Sequence, residues 1–423
     1  MKKVLIFTYY WPPAGGVSVQ RFLKFTKFLP EFGWQPIIVT VANGSYPYTD
    51  ESLLQQVDKS VKVYRTKTFE PFEFYNLLRG KKGKALPVVS VGAAKNKSFF
   101  QRFSEYIRAN FFVPDARVGW VKYAIKQAEE ILKTEKIDAI VTTGPPHSTH
   151  LIGLDLKQRF TVKWIADFRD PWTGIFYNDI LPRTEATRKK DSELETRVLN
   201  TADHVTVISP GMKKEFESRA KNIEVVFNGY DEEEFATETK TTNNAFTIRY
   251  VGNLMASQNA ALLWQTINTL SKEHKLRIEL VGRVDEEVKR SIAEAGIASL
   301  VSYRDFVDHH TAIGLMKTAD LLLFAIPDVK GNELILTGKL FEYLASKTEM
   351  ISFGPVQGNA ADILKQTGRK AMIDFKDGAE IQKQLNDALR YFAENKGGYK
   401  YSTTAHEVFS RRNQTKELAA LLA

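Results

Sequence analysis

Residues 1–29 read MKKVLIFTYYWPPAGGVSVQRFLKFTKFL: an apolar run, a loop with two adjacent glycines, and a segment of helical spacing. The run from Val4 to Phe7 is apolar on both faces, which is typical of a strand buried in a parallel sheet. No small-residue cleavage pattern follows it, so we interpret it as a strand rather than a signal peptide. Helical periodicity then extends from Val17 to Leu29. Strand, loop and helix begin a βαβ unit, and the stretch predicts a doubly wound α/β fold.

The alternation of buried strands and helices continues along the chain, stops, and starts again. The first set has predicted strands at residues 36–41, 139–141, 164–166 and 204–208 and a helix at 121–133. The second set has predicted strands at residues 246–251, 277–281, 321–325 and 350–353 and a helix at 260–272. A chain of 423 residues is longer than one core usually organises. We therefore predict domains at 1–240 and 241–400, joined by the polar stretch 237–244, and a helical tail within 401–423.

Charge and cysteine content narrow the classes of function. The chain has no cysteine, which excludes disulfides, thiolate metal sites and cysteine nucleophiles and fits a cytoplasmic protein. A formal net charge of +9 favours an anionic partner, such as a nucleotide, a nucleic acid or a membrane surface. The charge is concentrated, because residues 79–108 contain eight basic residues and one acid, Glu105. No apolar window reaches the ~18 to 20 residues that span a bilayer.

The loop with Gly15 and Gly16 is the first candidate site. Glycines permit close backbone approach, and a helix start presents unpaired N–H groups to an anion. We interpret this loop as part of a ligand site, and a plain strand-to-helix turn is the alternative. The G-x-G-x-x-G dinucleotide pattern does not occur after this strand.

Residues 337–344, Thr-Gly-Lys-Leu-Phe-Glu-Tyr-Leu, form the second candidate site. Thr337 stands where a helix N-cap is expected, and Gly338 lets the backbone approach a diphosphate. Lys339 adds a cation, and Glu342, one turn later, can accept two hydrogen bonds from a ribose diol. The alternative is a capped amphipathic helix whose apolar residues are core. A cation and a carboxylate at one helix start fit a nucleotide more simply, so we predict a nucleotide site.

Polar residues also follow two predicted strands of the first domain. Asp167, Arg169 and Asp170 follow one strand, and His147 follows another within a Gly-Pro-Pro turn. Open α/β sheets bind ligands at such strand ends. Two carboxylates beside an arginine are costly to bury unless paired, so a catalytic site and a structural Arg–Asp pair both fit the sequence. We take these four residues as catalytic candidates.

Six motifs occur in order along nearly the whole chain. They are Tyr-Trp-Pro-Pro-Ala-Gly-Gly (10–16), Val-Pro-Asp-Ala-Arg (113–117), Gly-Pro-Pro-His-Ser (144–148), Ala-Asp-Phe-Arg-Asp-Pro-Trp (166–172), Asn-Gly-Tyr-Asp (228–231) and Thr-Gly-Lys-Leu-Phe-Glu-Tyr-Leu (337–344). Together they closely resemble bacterial glycosyltransferases of family 4, in the branch found beside polysaccharide biosynthesis genes. The resemblance implies the GT-B fold, in which two Rossmann-like doubly wound domains face a cleft and a C-terminal helix crosses back to the first domain.

The resemblance also implies an activity and its site. It implies retaining, metal-independent transfer of a sugar from a nucleotide-diphosphate donor to a glycan or lipid-linked acceptor, with no further cofactor. Backbone N–H groups of residues 337–340 would bind the diphosphate, Glu342 would hold the ribose, and Gly15 and Gly16 would lie near the transferred sugar. With the cation Lys339, the donor-binding candidates are Gly15, Gly16, Gly252, Arg283, Thr337, Gly338, Lys339, Leu340 and Glu342.

Three positions depart from the family pattern. Many members carry a second glutamate eight residues before the one matched by Glu342, where this chain has Leu334. Many carry an arginine and a lysine where this chain has Asn253 and Gln258. The usual His-Asp pair of the first domain is replaced by Arg169-Asp170 or by Asp167, depending on alignment. Phosphate neutralisation would then fall to Lys339, Arg283 or Arg169.

The basic stretch 79–112 ends in a predicted helix with one apolar face, formed by Phe100, Phe103, Ile107 and Phe111. Such a helix can lie in an anionic membrane interface, with its cations on lipid phosphates. The alternative is a helix whose apolar face packs on the core. No recognised nucleic-acid motif accompanies the charge, so nucleic acid is not expected as a partner.

Three functions stay open at this point. The leading one is the glycosyltransferase, working in surface polysaccharide biosynthesis in the cytoplasm or at the inner face of the plasma membrane. The second is a GT-B sugar-nucleotide 2-epimerase, which would act on the donor alone. The third is a catalytically idle GT-B scaffold that binds a nucleotide at the membrane, which the departures at Leu334, Asn253 and Gln258 favour.

Overall fold

The computed structural model describes residues 1–70, 99–174, 178, 181–236 and 243–423. The chain forms two compact units: Met1–Phe227 with Gln414–Ala423, and Asn228–Asn413. The division therefore falls after Phe227 rather than at the predicted residue 240. Residues 228–236 belong with the second unit because Tyr230 pairs with the segment before the last helix: its N–H donates to the Phe409 carbonyl, at 3.1 Å. Most of the predicted linker, residues 237–242, lies outside the described residues.

The first unit contains a seven-stranded sheet in which every described pair is parallel. Its strands are β1 (Lys2–Phe7), β2 (Trp34–Val41), β3 (Lys62–Thr66), β4 (Ala139–Gly144), β5 (Lys163–Phe168), β6 (His204–Val207) and β7 (Ile223–Val225). Its helices are α1 (Val17–Phe28), α2 (Phe99–Phe111), α3 (Val121–Thr134), α4 (His150–Arg159), α5 (Glu185–Thr201) and α6 (Pro210–Phe216). The spatial order is β3-β2-β1-β4-β5-β6-β7. The order reverses direction between β1 and β4, and such a switch point is where open α/β sheets bind ligands.

The first sheet is apolar on both faces because alternate residues of its strands enter two different cores. Leu5 and Phe7 pack in a cluster with Trp164, whereas Val4 and Ile6 pack in a cluster with residues of α1. The C-terminal helix α13 (Arg411–Leu422) contributes Leu418 and Leu422 to the second cluster. Of the predicted tail 401–423, only Gln414–Ala423 groups with the first unit.

The second unit contains a five-stranded sheet whose described pairs are also parallel. Its strands are β8 (Phe246–Val251), β9 (Leu276–Val281), β10 (Val301–Arg304), β11 (Leu321–Ala325) and β12 (Met350–Phe353). Its helices are α7 (Ala261–Leu270), α8 (Glu286–Glu294), α9 (His309–Lys317), α10 (Gly338–Ala345), α11 (Asn359–Gln366) and α12 (Gly378–Asn395). The order β10-β9-β8-β11-β12 puts its switch point between β8 and β11. Among the described helices, none is long and apolar enough to cross a membrane.

Candidate active site

The carboxyl end of β8 brings Gly252 next to Lys339, at the switch point of the second sheet. Gly252 has a φ of 124°, a conformation that residues with a side chain rarely adopt. A Cβ atom on Gly252 would lie 2.7 Å from Lys339 Nζ, far inside contact distance. The glycine is therefore needed both for its backbone angle and for the approach of the lysine. This places two of the predicted donor-binding residues together.

The start of α10 keeps backbone donors available. Thr337 is extended, with φ −101° and ψ 149°, and its side chain does not cap the helix. The first intrahelical bond runs from the Leu340 N–H to the Thr337 carbonyl, at 3.2 Å. The N–H groups of Gly338 and Lys339 have no acceptor among the described residues. Such uncapped N–H groups, with the helix dipole, form an anion-binding site.

Lys339 carries the nearest cation to these N–H groups, and Tyr250 holds it. Its Nζ donates to the Tyr250 hydroxyl oxygen at 2.6 Å and lies 3.9 Å from the ring centroid. The Tyr250 hydroxyl in turn donates to the Asn253 carbonyl at 2.7 Å, so its lone pairs face the lysine. Burial lowers the pKa of Lys339 to about 7, and Glu342 opposes that shift. The lysine is thus only partly charged near neutrality until an anion restores its proton.

Glu342 lies one turn into α10 and is the least satisfied acid of this site. Neither of its carboxylate oxygens accepts a hydrogen bond from the part of the chain that the structure describes. Burial raises its pKa; His309, Lys339 and Arg411 oppose the shift, and Glu234 adds to it. A carboxylate that is partly desolvated without a donor is costly unless a ligand supplies one. A ribose diol would supply two O–H donors.

The positions that depart from the family pattern have other roles. Gln258 ties its loop to β11, because its Nε2 donates to the Ala325 carbonyl at 2.6 Å and its Oε1 accepts from the Met255 N–H at 3.1 Å. Leu334 is half-exposed.

Arg283, two residues after β9, is exposed and has no side-chain partner within the described ranges. It is therefore the available second cation at this end of the sheet.

In the first unit, Asp167 is fully buried and its carboxylate is fully used. It accepts hydrogen bonds from Arg21 Nη2 at 2.7 Å, Thr143 Oγ1 at 2.8 Å and Thr206 Oγ1 at 2.7 Å. These partners join α1 and the strands β4, β5 and β6. The geometry gives Asp167 a structural role, whereas the sequence favoured it as a catalytic candidate. Arg21, the residue that decides this, is one of several polar residues of α1, and the sequence did not single it out.

Arg169 is also used internally. Its guanidinium donates to the Ser18 carbonyl at 2.6 Å, to the Gly144 carbonyl at 3.2 Å and to the Pro145 carbonyl. Ser18 lies in the first turn of α1, Gly144 ends β4 and Pro145 follows it, so the three carbonyls stand on the two sides of the switch point. Arg169 is thus a positioning residue that fastens the start of α1 to the end of β4, because a buried guanidinium needs such acceptors.

At the same carboxyl edge of the first sheet, Asp170 and His147 have polar side-chain atoms that are not used in hydrogen bonds of this kind. The Asp170 carboxylate has no hydrogen-bond partner among residues the structure describes, and burial raises its pKa although Arg169 opposes the shift. His147 stacks on Trp172 with ring centroids 5.3 Å apart and planes 8° apart. Neither ring nitrogen of His147 forms a hydrogen bond of normal geometry in the described structure, although the Pro171 backbone lies close enough to favour the protonated ring. Burial, His150 and Arg169 lower its pKa well below the usual value, and only the Pro171 backbone opposes them.

The loop with Gly15 and Gly16 packs against Tyr48, which the sequence did not suggest. The Gly15 N–H donates to the Tyr48 carbonyl at 3.1 Å. A Cβ atom on Gly15 would lie 2.3 Å from the Tyr48 ring, so the glycine is required for this packing. The half-exposed Tyr48 ring therefore lies over the loop that precedes α1.

Asp115, in the second of the six motifs, is a supporting residue that the sequence did not single out. Its carboxylate accepts from the Ser148 N–H and from Ser148 Oγ, both at 2.8 Å. Two residues on, Arg117 pairs with the buried Glu70 and donates to the Ser45 carbonyl at 2.9 Å. Asp115 thus fixes the turn that carries His147.

Two parallel α/β units, each with a switch point at which such sheets bind ligands, match the GT-B fold found in glycosyltransferases. Residues 75–234 match the family model described as Glycosyltransferase Family 4, which confirms the resemblance over that part of the chain. No curated protein sequence matches the chain.

Solved structures with the same fold cover nearly the whole chain. A glycosyltransferase from Rickettsia africae is 13% identical with a TM-score of 0.59, over 100% of this chain and 97% of that one. Alr3699/HepE from Anabaena, in complex with UDP and glucose, is 14% identical with a TM-score of 0.62, over 99% of both chains. The lipopolysaccharide outer core galactosyltransferase WaaB is 15% identical with a TM-score of 0.57, over 100% and 99%. At these identities the likeness shows the fold.

Proposed function

We propose that this glycosyltransferase transfers a sugar from a nucleotide-diphosphate donor to a glycan or lipid-linked acceptor in surface polysaccharide biosynthesis, with retention and without a metal ion. The observation that carries the donor is Glu342, a carboxylate without a partner in the described structure, one turn from uncapped N–H groups and beside Lys339. Support comes from two structural neighbours, of which Alr3699/HepE is in complex with UDP and glucose and WaaB is a lipopolysaccharide outer core galactosyltransferase. Retention and metal independence rest on the resemblance alone.

The donor site has groups for the diphosphate and for the ribose of a nucleoside diphosphate. The N–H groups of Gly338 and Lys339 would bind phosphate oxygens, and Glu342 would accept from the ribose hydroxyls. Lys339 and Arg283 would neutralise the charge that develops on the leaving diphosphate. The C1–O bond to phosphate breaks, a C1–O bond to the acceptor forms on the same face, and the acceptor proton passes to the departing phosphate.

In the first unit, we propose that His147 and Asp170 contact the acceptor or the transferred sugar. Both have hydrogen-bonding atoms that no described residue satisfies, and both lie on the loops after β4 and β5. The neutral imidazole of His147 can both donate and accept a hydrogen bond, as a sugar hydroxyl requires. Asp167 and Arg169 keep supporting roles.

Calorimetric titration with nucleoside diphosphates tests the donor site. We expect binding of at least one common nucleoside diphosphate, and roughly 10- to 100-fold weaker binding by Glu342→Gln. The sharper test is a ligand without the 2′ and 3′ hydroxyls, which should bind the wild type and Glu342→Gln about equally. If no nucleoside diphosphate binds at millimolar concentration, or if the variant loses affinity equally for both ligands, the assignment of Glu342 to the ribose fails.

Product analysis separates the three functions. Slow hydrolysis of a nucleotide sugar, and transfer when an acceptor is added, would support the glycosyltransferase, and the anomeric configuration of the product decides retention. A changed sugar on an intact nucleotide would identify the epimerase, and binding without turnover would identify the idle scaffold. Activity that survives exhaustive chelation is expected, and loss restored by a divalent cation would contradict metal independence.

We propose further that the enzyme works at the inner face of the plasma membrane, with residues 79–112 at the anionic surface. Most of the basic residues of this stretch lie outside the described residues, which resume at Phe99. Helix α2 supports the proposal, because large apolar side chains on it are exposed.

A further inference from the structure

Aliphatic side chains are exposed on the two segments that lead into α10 and α11 of the second unit. Leu334 is 49% exposed, Val356 is 59% exposed and Val329 is 47% exposed. Ile335 and Leu336, which stand between Leu334 and α10, are partly exposed. We call these five side chains the apolar patch, and none of them joins a hydrophobic core cluster in the part of the chain that the structure describes. Exposed apolar side chains that gather in one place mark a contact site, whereas single ones need no explanation.

Backbone contacts hold the two segments of the apolar patch together. The Leu334 carbonyl accepts a hydrogen bond from Asn359 Nδ2 at 2.9 Å, and Asn359 is the first residue of α11. A Cβ atom on Gly358, whose φ is 137°, would lie 2.5 Å from the Glu333 carbonyl oxygen. The glycine therefore lets the two backbones touch. Val356, two residues before Gly358, thus belongs to the same region of the surface as Leu334.

The apolar patch ends where the proposed diphosphate site begins. Leu336 stands two residues before Gly338, and the N–H groups of Gly338 and Lys339 have no acceptor among the described residues. Glu342, the ribose candidate, lies one turn further into α10. A nucleoside diphosphate held at both points would direct its second phosphate away from Glu342. The sugar on that phosphate would therefore lie toward residues 334–336.

The chemistry of the apolar patch selects among donor sugars. A sugar hydroxyl against aliphatic side chains loses its water without gaining a hydrogen bond, whereas a methyl group gains from the same contact. Glu333 does not change this, although its carboxylate is exposed. It precedes Leu334 in a 3₁₀ turn, where consecutive side chains project about a third of a turn apart. The Glu333 carboxylate therefore does not take the place of the Leu334 side chain.

We propose that the apolar patch binds a methyl group of the donor sugar, which makes Leu334 and Val356 specificity-determining residues. The methyl group is that of a 6-deoxy sugar or of an acetamido substituent, since both present the same apolar group. The inference rests on the proposed function, because the diphosphate and ribose contacts place the sugar. It deepens that function by naming the class of donor.

Matched pairs of donors test whether the methyl group is recognised. UDP-glucose is compared with UDP-N-acetylglucosamine and with UDP-6-deoxyglucose, and the 6-deoxy comparison is repeated on dTDP-glucose and GDP-mannose. Calorimetric competition with the nucleoside diphosphate measures each affinity. We expect a methyl-bearing donor to bind roughly tenfold more tightly than its partner, and the pair that shows this identifies the source of the methyl group. Equal affinities in every pair, or tighter binding of the hydroxylated sugars, would overturn the proposal.

Substitution of the two most exposed members tests the apolar patch itself. Leu334→Asn with Val356→Asn should lower the affinity for the methyl-bearing donor about tenfold and leave that for the nucleoside diphosphate unchanged. Leu334→Met with Val356→Ile keeps the surface apolar and should retain the preference. Leu54→Asn is the matched control, because Leu54 is an aliphatic side chain 42% exposed in the first unit, and it should change neither affinity.

Two results of these variants would contradict a sugar contact. A preference that survives in the double asparagine variant would show that the apolar patch does not meet the sugar. A lower free energy of unfolding with the preference intact would show that the two side chains pack within the protein instead.

Titration with the nucleoside diphosphate alone keeps the two proposals apart. Nucleoside diphosphate binding without any preference between the paired donors would overturn the methyl contact and leave the donor site standing. If no nucleoside diphosphate binds, the donor site fails, and the methyl contact fails with it.

Discussion

The carboxyl edges of the two sheets use their charged residues differently. In the first unit, Asp167 and Arg169 form hydrogen bonds with residues of α1, β4, β6 and the loops beside them. In the second unit, Glu342 has no partner in the described structure and Arg283 is exposed. Charged residues that follow strands therefore do not identify a binding site by themselves. A residue whose hydrogen bonds are already made within the protein belongs to the structural scaffold, whereas a residue whose hydrogen bonds are not made is available to a ligand.

The largest effect is expected on the free energy of unfolding, when the buried pair of Arg21 and Asp167 in the first unit is broken. Asp167→Asn removes the negative charge that pairs with the buried Arg21 guanidinium, so we expect a loss of about 3–5 kcal/mol in the free energy of unfolding. Urea denaturation followed by tryptophan fluorescence measures it. Asp170→Asn is the matched control and should change stability by less than about 1 kcal/mol, because Asp170 has no partner in the described structure. Equal losses in both variants would contradict the division between scaffold and site.

The sequence predicted most of the fold, but it only partly predicted which charged residues belong to the structural scaffold and which are available to a ligand. Strands such as Val4 to Phe7 and Phe246 to Val251 were predictable because both of their faces are apolar, a pattern that few other structures produce. The short strands β3, β7 and β10 were not predicted, since they carry polar residues and lack that pattern. The start of α10 was predictable from local chemistry. Long-range pairs such as Arg21 with Asp167 were not, because nothing in one segment encodes its partner 146 residues away.

The next largest effect is expected for Glu342. Its substitution should weaken ligand binding and leave stability unchanged, whereas substitution of Asp167 should reduce stability. Glu342→Gln should weaken nucleoside diphosphate binding by about 1.5–3 kcal/mol, the cost of a lost hydrogen bond to a charged group. It should not reduce the free energy of unfolding, since burial disfavours the carboxylate by more than the charges of His309, Lys339 and Arg411 favour it. Paired calorimetric and urea experiments on the same samples test both halves. A variant that loses stability as well as affinity would show that Glu342 belongs to the scaffold.

The histidines of the first unit predict an acid sensitivity that the donor site should not share. Burial lowers the pKa of His150 to about 3, so the unfolded chain binds its proton from about pH 6.5 downward while the folded chain does not. Stability is therefore complete above pH 6.5 and falls as the pH decreases toward 3. Between pH 6.5 and 5 we expect a loss of about 2 kcal/mol from this imidazole. The urea denaturation midpoints of the wild type and of His150→Asn at both pH values measure this loss. If the midpoints of the two proteins fall equally between the two pH values, His150 is not the source of the acid sensitivity.

Lys339 should give the smallest effect and the most direct test of the donor edge. Its pKa of about 7 in the empty site means that it is mostly charged at pH 6 and mostly neutral at pH 8. A bound diphosphate raises that pKa, so binding takes up a proton and the affinity should fall roughly tenfold from pH 6 to pH 8. Because the ligand phosphate also titrates, Lys339→Met supplies the baseline and should show a flatter profile. Titrations in two buffers of different ionisation enthalpy count the proton directly. If wild type and Lys339→Met take up the same number of protons at pH 7.5, the lysine that Tyr250 holds is not the group that meets the diphosphate.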